Sequence, residues 1–189
     1  MPIPEWIVIA IVAVVLIVAA FVAISMVRFR TRTKRLKQHY GTEYEHVVSE
    51  TGSEKGAVRV LTTRERKRDK LDIVPLTPDA VSNFSTGWQE VQASFVDHPA
   101  EAVDAADRLI TEVMRERGYP VDDFDRRAAD ISVDHPDIVD NYRAAHDIQL
   151  SEQHADTEQQ REAFVHYRAL FEKLVDTPTD NESSQEARA

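Results

Sequence analysis

From Trp6 to Val27 the chain is apolar without interruption, carrying no charge and a single hydroxyl, Ser25. A helix rises about 1.5 Å per residue, so a run of this length reaches roughly 33 Å and matches a hydrocarbon core of about 30 Å. Val and Ile disfavour helix slightly in water. In lipid, however, every backbone N–H and C=O must be bonded within the segment, and helix prevails. Trp6 suits the headgroup level at one end. No Lys or Arg precedes the run, and it exceeds the roughly 7–15 apolar residues of a cleavable signal peptide. The pattern therefore predicts an uncleaved transmembrane helix over 6–27, preceded by a short extracytoplasmic N-terminus, residues 1–5.

The pattern then changes twice. Leu36, Tyr40, Tyr44, Val47 and Val48 recur at helical spacing, with Gly41 weakening the stretch and Thr51-Gly52-Ser53 ending it. A second, basic amphipathic helix is expected from about Glu54 to Asp72. Residues 28–76 thus read as a basic helical neck. Pro75 closes it, and Thr77-Pro78 reads as an N-cap followed by proline in the first turn.

Beyond that point apolar seams with a period near 3.6 follow one another. Val81, Phe84, Trp88, Val91 and Phe95 make the first; Val103, Ala106, Leu109, Ile110, Val113 and Met114 make the second, stopped by Gly118-Tyr119-Pro120. Phe124, Ala128 and Ile131 mark a short helix, and Ile138, Val139, Tyr142 and Ala145 the next. Ala163, Phe164, Tyr167, Leu170, Phe171 and Leu174 mark the last, behind a capping box read at Thr157-x-x-Gln160. No stretch alternates with period two. Residues 77–175 are expected to form an all-α bundle of about five helices, and 176–189 a disordered tail.

Charge sharpens this division. Residues 28–70 carry 13 Lys+Arg against 6 Asp+Glu, a balance of +7, whereas residues 71–189 carry 10 against 26, a balance of −16. Arg28, Arg30, Arg32, Lys34, Arg35 and Lys37 directly follow the apolar run. The positive-inside bias then puts the N-terminus outside and the helical body in the cytoplasm, at the inner face of the cell membrane. These six cations serve as the topology signal and as a surface for anionic lipid. Arg64, Arg66, Lys67, Arg68 and Lys70 form a second basic patch. Residues 54–72 hold no aromatic side chain for stacking, so nucleic acid is not the expected partner.

Candidate chemistry is sparse. The chain has no cysteine, which removes disulfides, thiol nucleophiles and cysteine-based metal sites. No metal-binding helix motif, Gly-rich phosphate loop or nucleophile elbow occurs, and no cofactor or reaction is expected. The string Val-Asp-His-Pro occurs twice, at 96–99 and 133–136. Its Asp97/His98 and Asp134/His135 pairs are weak metal candidates. The plainer reading makes each string the cap of the helix that follows, because aspartate favours the positive end of a helix. Trp88, Gln92, Phe95, Tyr119, Tyr142, Arg143 and His146 are the residues most suited to a protein-partner surface.

Several of these strings carry a resemblance. Arg35-Leu36 with Tyr40-Gly41-x-Glu43-Tyr44, Trp88-x-x-Val91-Gln92-x-x-Phe95-Val96-Asp97-x-Pro99, Ala106-Asp107-x-Leu109, Val113-Met114-x-x-Arg117-Gly118-Tyr119-Pro120, Ser132-Val133-Asp134-His135-Pro136 and Tyr142-Arg143-x-Ala145-His146 resemble a family of uncharacterised bacterial single-pass membrane-anchored proteins, some labelled secreted. The resemblance covers about residues 35–175 and implies membrane anchorage but no activity or catalytic residue. The expectation is a membrane-anchored helical adaptor that recruits a protein partner. A membrane-tethered ligand- or metal-binding domain using the Asp-His pairs is the alternative.

Overall fold

The computed structural model describes residues 5–151 and 156–176, apart from the side chains of residues 5–13 and 15. The described residues form eight α-helices and no strand. The chain is all-α. No helix among the described residues is long and apolar enough to cross a membrane. Within the predicted span the side chains of residues 6–13 and 15, Trp6 among them, lie outside that description, as do residues 1–4 and the tail from 177.

Helix α1 runs from Glu5 to Tyr40. Its side chains from Leu16 to Phe29 are all exposed, but Leu36 and Tyr40 at its far end are buried. Gly41, at φ +52°, interrupts the helix, and α2 (Thr42–Thr51) continues in a new direction until Gly52, at φ +68°, caps it in the left-handed region. The Ser53 hydroxyl then accepts from the Gly56 amide and starts α3 (Glu54–Arg68). Leu36, Tyr40, Tyr44, Val47, Ala57, Val58 and Leu61 form one small core among these three helices. Lys37 pairs with Glu54 in the first turn of α3, and Arg35 with Glu65 near its end. Arg35 and Lys37 lie about 3 Å apart along their helix, Glu54 and Glu65 about 16 Å apart along theirs. Helix α3 therefore crosses α1 transversely.

The larger core belongs to α4 (Pro78–Ser94), α5 (Pro99–Glu116), α6 (Phe124–Asp134), α7 (Val139–Leu150) and α8 (Thr157–Asp176). Helix α8 is packed on α5 and α7, and α4 lies against α5. Trp88 stacks on Phe171 and Phe164, with ring centroids 4.7 and 5.1 Å apart. Thr77 caps α4 as the sequence predicts, its hydroxyl accepting from the Ala80 amide at 3.2 Å. At the end of α5 the Tyr119 amide reaches the Met114 carbonyl and the Gly118 amide that of Arg115, a Schellman turn closed by Gly118 at φ +93°. The capping box of α8 sits one residue earlier than predicted. Asp156 Oδ1 accepts from the Gln159 amide at 2.9 Å, and Gln159 Oε1 from the Asp156 amide at 3.0 Å.

The repeated Val-Asp-His-Pro strings do not act as a matched pair of helix starts. His98 occupies the N-cap of α5 without a side-chain hydrogen bond, and Asp97 is exposed. Asp134 instead ends α6, and His135 is the C-cap of that helix. Asp134 lies four residues before Ile138, the N-cap of α7, and its carboxylate instead pairs with Arg68 and accepts from the Tyr119 hydroxyl.

Candidate functional site

The most concentrated chemistry lies where the neck meets the body. Glu43 sits on the inner side of α2, between Tyr40 and Val47, and is fully buried. Arg64 of α3 donates to its Oε1 at 2.5 Å, and Arg143 of α7 donates to Oε2 at 2.6 Å and Oε1 at 3.0 Å. Arg64 also donates to Ser132 Oγ of α6 at 3.2 Å. The Glu43 carboxylate thus ties α2 to α3 and α7, and Arg64 extends the link to α6. Burial pushes the Glu43 carboxyl up, but the Arg143 and Arg64 guanidiniums outweigh it and hold the group below the usual carboxylate range.

A second link lies one helical turn along α3. Arg68 pairs with Asp134 at 2.7 Å, and the Tyr119 hydroxyl donates to the other Asp134 oxygen at 2.6 Å. Burial and the neighbouring Asp134 carboxylate both raise the Tyr119 hydroxyl. His39 of α1 lies 3.0 Å from the Val133 carbonyl. Expected as a separate juxtamembrane segment, the neck is docked on α6 and α7 by these contacts.

This arrangement divides the two predicted basic clusters. In the second patch, Arg64 and Arg68 are spent on Glu43 and Asp134, while Arg66, Lys67 and Lys70 remain exposed. In the first, Arg35 and Lys37 pair with Glu65 and Glu54, while Arg28, Arg30, Arg32 and Lys34 are exposed. The exposed cations of α3 open onto two clefts. One, of about 920 Å³, lies between α3 and α6 and mixes Arg59, Lys67, Lys70 and Arg126 with Asp125 and Asp130. The other, of about 630 Å³, lies between α3 and α1 and has no carboxylate in its lining.

The residues chosen for a partner surface do not form one. Trp88, Tyr119 and Tyr142 are buried in the main core; Trp88 and Tyr142 carry apolar positions of α4 and α7, and Tyr119 follows the turn that ends α5. Arg143 is held by Glu43, and Phe95 packs against Phe164 with centroids 4.9 Å apart. His146 stacks on Phe124 at 3.6 Å. Gln92 alone among them is exposed. Nor do the Asp-His pairs converge: among the described residues no group of three His, Cys, Asp or Glu side chains could hold a metal ion. His135 is buried, and burial lowers its imidazole to about 4.

Glu43 escapes a search for motifs, yet it leaves a trace. It falls on the Leu36, Tyr40, Tyr44, Val47 stripe, where helical spacing calls for an apolar residue. A lone acid on such a stripe calls for a cationic partner from elsewhere in the chain. Comparison with protein-family models, curated proteins and solved structures finds no match to this chain.

Proposed function

We propose that this protein is a single-pass membrane-anchored helical adaptor, with its N-terminus outside and its helical body held at the inner face of the cell membrane to recruit a protein partner. The observation that carries the reading is the course of α1. Between Val14 and Val27 its large apolar side chains are 53–71% exposed, and they face every side of the helix. A helix that is apolar all round requires a non-aqueous environment, and the sequence continues the run back to Trp6. The same helix then enters the folded core through Leu36 and Tyr40, so anchor and body share one rigid element. The cations from Arg28 to Lys37 favour the cytoplasmic side for the body.

The chain has no cysteine, so one introduced cysteine gives an unambiguous topology probe. With Ser183→Cys, a membrane-impermeant maleimide is expected to label permeabilised cells and leave intact cells unlabelled. Labelling of intact cells overturns the orientation, and release of the chain by alkaline carbonate overturns the anchor. For the adaptor role, a photo-crosslinker at the exposed Gln92 is expected to trap a discrete protein neighbour in cells. Adducts with lipid alone would remove that part of the reading.

A further inference from the structure

The cleft between α1 and α3 differs in kind from the rest of the neck. Its lining supplies Arg32 from α1 and Lys55, Arg59 and Arg66 from α3, with no carboxylate among its residues. The three α3 cations stand at spacings of four and seven, on one face of that helix. All four are exposed, and none forms an ion pair among the described residues. Arg35, Lys37, Arg64 and Arg68, only a few positions away, are all paired. The fold has thus neutralised some of the local cations and left four unpaired at this cleft, Arg59 also bordering the α3–α6 cleft. Thr62 also lines the cleft, but it is only 6% exposed, with its Oγ1 buried and unpartnered among the described residues.

We infer that this cleft binds the phosphate headgroup of an anionic phospholipid, an assignment that rests on the membrane-anchored reading of α1. Depth favours a lipid source. Arg32 lies five residues beyond Val27, about 7.5 Å further along the helix, which is the depth of a headgroup layer outside a hydrocarbon core of about 30 Å. Phe29, between the apolar run and Arg32, also lines the cleft and is partly exposed; it gives the upper acyl chain an apolar contact. The transverse course of α3 places Lys55, Arg59 and Arg66 beside that layer rather than along the anchor axis. Guanidinium groups recognise phosphate oxygens in bidentate fashion.

The test uses the full chain in a neutral detergent, titrated with dioctanoyl phosphatidylglycerol, dioctanoyl phosphatidylcholine and inorganic phosphate and read by native mass spectrometry. Phosphatidylglycerol is expected to bind at least about tenfold tighter than phosphatidylcholine, as two or more uncompensated cations require, and to resist displacement by equimolar inorganic phosphate. Arg59→Gln with Arg66→Gln should lower that affinity about tenfold, whereas Lys67→Gln with Lys70→Gln, the same charge change at the α3–α6 cleft, should leave it within about twofold. Equal affinity for both lipids, equal losses in the two double variants, or inorganic phosphate that binds as tightly and excludes the lipid would each overturn the assignment. Carbonate extraction separates the two readings. A chain that is extracted but still binds phosphatidylglycerol through Arg59 and Arg66 loses the anchor and keeps the headgroup site. An anchored chain whose double variants behave alike loses only the headgroup site.

Discussion

Glu43 concentrates two opposing terms in one side chain. Removing a carboxylate from water is unfavourable, and only two well-placed guanidiniums with short hydrogen bonds offset it. Glu43→Gln keeps the shape but strands both arginines, so a loss of about 3 kcal/mol in denaturant unfolding at pH 7 is expected. Arg143→Met should cost less, because Arg64 still answers the carboxylate. A loss near zero for Glu43→Gln would mean that water already screens the cluster. Because its folded pKa is depressed, the Glu43 contribution is present above the unfolded carboxylate range and is lost as pH falls through the folded value. His135 acts in a different window. Burial lowers it to about 4 from an ordinary 6.5, so the unfolded chain takes up a proton between those values and the folded chain does not. Stability is then fully present above pH 6.5 and falls by roughly 3 kcal/mol on acidification to pH 4, one pKa unit being 1.36 kcal/mol. Asp107 and Asp130, both raised by burial, act in the opposite sense. The difference between wild type and His135→Gln across that window is therefore the quantity to measure; parallel curves would show that the imidazole is not buried.

At the level of elements, the helices were legible because their punctuation is local. Thr77-Pro78, Ser53, Gly52 and Gly118 each act within a few residues of their position, and each stands at the helix end where it acts. The apolar stripes were equally readable, down to Leu36 and Tyr40 anchoring α1 in the neck core. Contacts between elements were not. The Arg143–Glu43 bond spans 100 residues of sequence, and no periodicity connects an acid in the neck to an arginine in α7. The Asp134 string misled for the same reason, since its carboxylate pairs with Arg68, 66 residues earlier. Two glycines separate local from tertiary demand. Gly118 has φ +93°, and a Cβ there would strike the Asp72 carbonyl, so Gly118→Ala should destabilise by about 1–3 kcal/mol. Gly87 sits inside α4, where a Cβ would meet Leu109 Cδ1 at an ordinary 3.5 Å. Gly87→Ala should stabilise by about 0.5–1 kcal/mol through the backbone entropy of the unfolded chain. Thermal melts of the two variants should move in opposite directions, and a matching shift would remove the distinction.

On the scale of the whole molecule, the proposed tether is a single unbroken helix. Helix α1 continues without a break from its exposed apolar stretch to Tyr40, and the neck it enters is fixed to the body by Glu43, Asp134 and the His39 contact. A flexible linker would let the −16 body drift and leave α3 free to rotate. A continuous helix instead sets both the depth and the azimuth of α3, because each residue contributes about 1.5 Å and 100°. Inserting two glycines after Arg30 should therefore leave membrane extraction unchanged and abolish the fixed depth of α3. The measurement is quenching of a fluorophore on Thr63→Cys, an uncharged exposed position beside the α1–α3 cleft, by lipids spin-labelled at the headgroup or deep in the acyl chain. In the parent chain the headgroup quencher should dominate. In the insertion variant that preference should weaken, since the glycines break the helical register through which the proposed anchor would hold α3 at the membrane. If the depth profile is identical in both, attraction between the exposed cations and anionic lipid positions the body, and the continuity of α1 plays no part in it.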